Sequence, residues 1–359
     1  MFSLLPAMPP PKERADADRE DQVVLFPSLG HWGADGHWHL QIHGDIFTPV
    51  PRVSLGKRFL LRMLQRVMRV PKEELESELF QRRIARFLAR DAREREIAVH
   101  IGDQRHELPA RSRRNGHFHA TLRLPAEALN ISAAEATLAQ RVQIAIHGLD
   151  TTAAPKRGQV YLLPPRGLSI ISDIDDTIKH SHVACRRTLL TNTFLREFAP
   201  ISGMAAIYRD WAERGAAFHY VSSSPWQMYE HLAEHFIAEG LPPGSFHLRW
   251  FRLRDHLLRR LLILRRSGKI TVIQAILKTF PNRQFILIGD SGEKDPEIYG
   301  ALARKFPQQV RKIMIREIPC PRATPARFQK AFRNVPPAIV QRFFDPAEIA
   351  ASLNGLLAP

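Results

Sequence analysis

The run from Leu168 to Ile171 is apolar, and it stops at Asp173, Asp175, Asp176 and the hydroxyl of Thr177. Desolvated carboxylates are costly unless paired, hydrogen-bonded or bound to metal. A buried strand that runs into three of them therefore suggests a site rather than a core. Side chains two apart on an extended chain point the same way, so Asp173 and Asp175 can converge. Converging carboxylates repel unless a cation lies between them, and oxygen donors of this kind suit Mg²⁺. The same residues also read as an acidic turn that caps the next helix, since Asp and Thr are ordinary cap residues.

Two further segments have the same character. Gln284-Phe-Ile-Leu-Ile-Gly-Asp290 is a second apolar run ending in an acid, with Asp295 close behind. Phe218-His-Tyr-Val-Ser222 is a third run, ending in a hydroxyl. Separately, Ser222 reads as a turn residue and Asp290 to Asp295 as a solvated loop. In this order, with Asp173-Ile-Asp-Asp-Thr177 first, they resemble the haloacid-dehalogenase-type phosphohydrolases. The segments Leu190-Thr-Asn-Thr-Phe194, Ser224-Pro-Trp-Gln227, Pro243-Gly-Ser245 and Ile288-Gly-Asp-Ser-Gly-Glu293 narrow the resemblance. They are similar to the phosphatidate phosphatase catalytic-domain family typified by a yeast actin-patch protein, over about residues 160–320.

The resemblance implies a Mg²⁺-dependent phosphatase with a defined set of roles. Asp173 is the expected nucleophile, and Asp175 the acid that protonates the leaving alkoxide and then the base for water. Ser222 is expected to hydrogen-bond a phosphoryl oxygen, with Thr177 supporting the loop. Mg²⁺ is expected on Asp173, the backbone carbonyl of Asp175, Asp290 and Asp295. The lysine of the pattern should open a helix between the second and last segments; Lys269 fits best, with Lys278 as competitor. The chemistry suits these residue types. Phosphate monoesters hydrolyse very slowly in water, and a carboxylate nucleophile divides the displacement into two steps through an aspartyl-phosphate.

These residues need a scaffold. From Leu168 onward strands and helices alternate, which predicts an α/β domain with a Rossmann-like, haloacid-dehalogenase-type parallel sheet over residues 168–320. Residues 21–163 carry period-two alternation at 37–44, 97–100, 117–124 and 142–147, with a helical stretch over 54–90 broken at Pro71. They predict a smaller β-sandwich-like N-terminal domain with a helical insertion. Residues 164–167 read as a linker, 1–20 as a Pro-rich disordered arm, and 321–359 as a C-terminal helical extension.

Composition bounds the class. Of 359 residues 44% are hydrophobic, ample for ordinary cores, and two cysteines exclude a disulfide framework. No leader or spanning segment is read, so a cytoplasmic protein, peripheral at membranes, is expected. The net charge of +16 points to anionic partners. Phosphatidate or another lipid phosphate is the first expected substrate, because the intervals after Thr177 and Ser222 are too short for a large cap over the site. Two segments could face an anionic membrane surface. One carries Arg58, Arg62 and Arg66 beside Phe59, Met63 and Val67; the other spans residues 252–266. Each reads equally as a helix with its apolar side on the core and Arg in water. A phosphatase for soluble, protein or nucleic-acid phosphomonoesters is the second reading, although no nucleic-acid module is recognisable. A non-catalytic adaptor is the third, and it has no need of four convergent acids.

Overall fold

The computed structural model describes residues 21–50, 55–129, 140–146, 155–250, 267–321 and 323–356. The arm over 1–20 and the basic segment 252–266 lie outside the described residues.

The N-terminal strands are β1 (Gln22–Phe26), β2 (Ser28–Trp32), β3 (Trp38–Thr48), β4 (Arg90–Asp91), β5 (Ala98–Ile101), β6 (Gln104–Glu107), β7 (His117–Leu124), β8 (Gln140–Ile146) and β9 (Lys156–Leu163). All nine belong to one hydrogen-bonded sheet rather than to the two sheets of a sandwich. The reason is β3, which is long enough to pair with β2 and β1 on one edge and with β7 and β4 on the other. The alternating residues Leu40, Ile42, Val99, Phe118, Ile144 and Val160 enclose a core of their own.

Two helices interrupt this sheet, α1 (Leu55–Met68) and α2 (Glu78–Leu88). Ser77 caps α2 by accepting from the amide of Phe80. Their buried residues, Leu60, Leu64, Met68, Phe80, Ile84 and Phe87, join the core of the next domain rather than that of the sheet they interrupt.

That domain is built on β10 (Leu168–Ser172), β13 (Ala217–Pro225), β14 (Gly244–Arg249), β15 (Gln284–Asp290), β16 (Val310–Arg316) and β17 (Val340–Phe343). They form a parallel sheet in the order β14-β13-β10-β15-β16-β17. A minor pair, β11 (Lys179–His180) and β12 (Ala199–Pro200), lies beside it. The near-continuous apolar runs follow from burial on both faces. Leu168, Ile170, Phe218, Tyr220, Ile286 and Ile288 face one layer, with α3 (Arg186–Phe194), α4 (Met204–Glu213) and α5 (Tyr229–Ala238). Ile171, Val221, Phe285, Leu287 and Ile313 face the other, with α6 (Ser267–Thr279), α7 (Asp295–Lys305) and α8 (Pro325–Ala331).

The C-terminal stretch is not simply helical. It supplies α8 and then β17, the parallel edge strand beside β16. The linker is pinned by the buried Arg283, whose guanidinium donates to the carbonyls of Pro164, Arg166 and Leu168. Among the described residues no helix is long and apolar enough to cross a membrane.

Candidate active site

Open parallel sheets build sites beyond the carboxyl ends of their strands. Here β13, β10 and β15 are neighbours, so the ends of the three apolar runs meet. Asp173 follows β10 directly, with its amide on the Ile288 carbonyl. Its carboxylate is buried, with Lys269 Nζ 2.8 Å from Oδ1 and Thr177 Oγ1 3.5 Å from Oδ2. Lys269 lies in the first turn of α6, and Nζ also donates to Asp295 Oδ1 at 2.5 Å. Lys278 is exposed in the last turn of that helix.

Asp173, Asp290 and Asp295 each offer a carboxylate oxygen within 4.8 Å of the others. Asp290 Oδ1 accepts from the amides of Gly292 and Glu293, whereas Oδ2 is buried without a partner. Asp295 Oδ2 accepts from the Asp290 amide at 3.2 Å. Gly289 makes this approach possible, since a Cβ there would lie 2.1 Å from Asp295 Oδ2. Burial raises Asp173 well above the usual carboxylate range, against the pull of Lys269. Burial, then Asp295 and Glu293, raises Asp290 in the same direction. The pocket is therefore short of positive charge. An unpartnered buried oxygen among hard donors fits a divalent cation such as Mg²⁺.

Asp175 sits in a different environment. Its side chain accepts from Lys179 Nζ at 2.7 Å and Ser181 Oγ at 2.7 Å on one oxygen. On the other oxygen it accepts from Ser222 Oγ and Ser224 Oγ, both at 2.8 Å. Burial alone would raise this carboxyl, yet Lys179 and the hydroxyls hold it below the usual range. Ser222 thus faces Asp175 here, and its oxygen also accepts from the Ser224 amide. The side chain of Asp175 is not among the three convergent metal donors.

Asp176 shapes the loop. It adopts a left-handed backbone, φ 55°, which Asp tolerates better than most residues. Its carboxylate accepts from the amides of Ser181, His182 and Val183.

Sequence reasoning missed several participants. Lys179, Ser181 and Ser224 are on Asp175, and their proximity in sequence to Asp175 and Ser222 was the available signal. Glu293 is buried beside Lys269 at 3.7 Å and is pushed up to about 7 by burial. Arg327 of α8 donates to the carbonyls of Ser291 and Glu293, bracing the loop that carries Asp290. Nothing local in the sequence points to Arg327.

Residues 168–317 match the family model described as the catalytic domain of phosphatidate phosphatase APP1. Over this segment the chain is similar to that family. Phosphatidate phosphatase APP1 of Saccharomyces cerevisiae is 38% identical over 156 residues, 42% of this chain and 26% of the yeast protein. An uncharacterized protein of Schizosaccharomyces pombe is 34% identical over 167 residues, 45% of this chain and 27% of that protein. The chain spans about a quarter of the length of the curated relatives it matches. A crystal structure of phosphoserine phosphatase in apo form aligns at 11% identity with a TM-score of 0.33, covering 50% of this chain and 96% of that one. That alignment is too loose to bear on the assignment.

The outer face of α1 is also defined. Arg58, Phe59, Arg62 and Arg66 are exposed, whereas Leu60, Leu64 and Met68 are buried. Val67 packs partly against the core, so the apolar stripe expected beside the arginines is led by Phe59, which is 63% exposed.

Proposed function

We propose that this chain is a Mg²⁺-dependent phosphatase that hydrolyses phosphatidate or a similar lipid phosphomonoester through an aspartyl-phosphate. The observation that carries the reading is the buried Asp173 carboxylate, in contact with Lys269 and convergent with Asp290 and Asp295 at the sheet's carboxyl edge.

Asp173 attacks phosphorus, and the bond to the leaving alkoxide breaks. Lys269, beside that carboxylate, offers an ammonium for the incoming phosphate oxygens. The alkoxide takes its proton from the Asp175–Lys179 pair, joined at 2.7 Å. In the second step water attacks phosphorus, the bond between phosphorus and the Asp173 oxygen breaks to free that carboxylate, and the water's proton passes to Asp175, whose surroundings favour the carboxylate that accepts it. Ser222 and Ser224 hold Asp175 at the reacting centre and present hydroxyls toward it. Asp173, Asp290, Asp295 and the Asp175 carbonyl are the proposed donors for Mg²⁺. When bound, the ion offsets the mutual repulsion of phosphate and carboxylates and stabilises charge in the transition state.

The lipid substrate is supported by the family match and by what covers the site. Between β10 and β13 the chain holds only α3, α4 and the β11–β12 pair, elements of the sheet's own layers. A cytoplasmic protein working at a membrane surface is the corresponding location. The test is phosphate release from phosphatidate vesicles and from a panel of soluble esters, with and without Mg²⁺. Mg²⁺-dependent release, greatest on phosphatidate, is expected. Full activity after chelation would overturn the metal, and preference for a soluble ester would overturn the substrate.

A further inference from the structure

The outer surface of α1 has no function in the reaction above, yet its charge is arranged rather than scattered. Arg58, Arg62 and Arg66 repeat every fourth residue, so they share one face. All three are exposed, and among the described residues none has a carboxylate partner. In the turn that follows, Glu74 is paired with Arg196 and Glu76 with Lys72. An open cavity of about 420 Å³ continues the basic face, lined by Val67, Arg69, Arg186 and Arg187.

This face is tied to the catalytic loop. Arg187 Nε donates to the Met68 carbonyl at 2.8 Å, latching the end of α1 to the start of α3. The start of α3 follows the segment whose Ser181 hydroxyl and amide bind Asp175 and Asp176. The end of α1 is thereby joined, through the start of α3, to the segment that carries Ser181, although α1 lies outside the matched family segment. Phe59 projects from the same surface. A polyanion needs no such group, whereas the interfacial region of a bilayer takes both an aromatic ring and arginines.

We propose that the outer face of α1, continued by Arg69 and Arg186, docks the protein on an anionic lipid bilayer, with Phe59 inserted at the interface. This goes beyond hydrolysis and does not rest on it, so the test contains no substrate. Co-sedimentation of the full chain is measured with vesicles of phosphatidylcholine alone and with added phosphatidylserine, at low and high salt. Binding is expected only with phosphatidylserine, and salt should weaken it. The triple change Arg58→Glu, Arg62→Glu and Arg66→Glu should weaken it by about a hundredfold or more at low salt. Arg→Gln at the same positions gives a milder loss and guards against misfolding, with a thermal melt as the check. Phe59→Ser should weaken binding about tenfold. Reversal of the exposed Arg105, Arg111 and Arg114 of the N-terminal sheet makes the same change in net charge and should matter much less.

Equal losses in the α1 charge reversal and in the reversal of Arg105, Arg111 and Arg114 would overturn the proposal in favour of bulk charge. Undiminished vesicle binding by Phe59→Ser, together with loss of polynucleotide binding in the α1 variant, would replace the bilayer with nucleic acid.

Discussion

At the end of β10, Asp173, Asp290, Glu293 and Asp295 crowd around the single ammonium of Lys269. Such an arrangement suits cation binding and costs stability without a cation. Asp173→Asn removes the proposed nucleophile while keeping its shape. Phosphate release should fall to background with the fold intact by circular dichroism, and near-normal release would sink the mechanism. Asp290→Asn relieves repulsion and offers an amide in place of the unpartnered oxygen. The metal-free variant should gain about 1 kcal/mol, or about 2–4 °C in melting temperature. Its further stabilisation by Mg²⁺ should disappear. A variant that melts lower than wild type and still responds to Mg²⁺ would contradict the site.

At the scale of elements, the loops of the proposed site are held by pieces of chain outside the matched segment. Trp226 follows the serines of β13 and packs between Phe26 of β1, ring centroids 4.2 Å apart, and His43 of β3, at 4.6 Å. Trp226→Ala should cost about 3 kcal/mol and separate the melting of the two domains. One transition at the wild-type temperature would show that this contact does not couple them. Arg327 braces the Ser291–Glu293 carbonyls from α8. Arg327→Ala should raise the Mg²⁺ concentration for half-maximal activity on the order of tenfold with little change at saturation. An unchanged Mg²⁺ dependence would remove α8 from the site.

For the whole molecule, buried histidines set the response to acid. Burial lowers His117 to about 3, with Arg86 adding to the effect, and lowers His247 to about 4, with His119 adding. Below pH 6.5 the unfolded chain takes up protons that these folded imidazoles refuse. Their contribution to stability is therefore present above pH 6.5 and is lost progressively toward pH 3–4. Each should cost about 2 kcal/mol by pH 5. The raised carboxylates of the metal-free site act in the opposite direction, so melts belong in excess Mg²⁺. The melting temperature should fall between pH 7 and pH 5, and by less in His117→Phe. A flat or rising profile would refute this assignment.

The acids were legible in the sequence because strand ends in a parallel sheet are local features. An apolar run marks the strand, and the residue after it marks the edge. The runs ending near Asp173, Ser222 and Asp290 carried that information without any coordinates. The partners of those acids were not legible, because they depend on which chains meet. Lys269 and Lys278 occupy one helix, and only its docking against the sheet turns Lys269 to Asp173 and leaves Lys278 in water. Asp175 and Asp173 alternate in phase, yet the turn at Asp176 gives one to hydroxyls and Lys179 and the other to the acidic cluster. The helical insertion looked like part of the N-terminal domain because it interrupts that sequence, but its apolar face matched the neighbouring core. Residue type and period established what each segment could offer. Tertiary packing decided which offers met, because burial and electrostatic partners are properties of the assembled surface and not of any one segment.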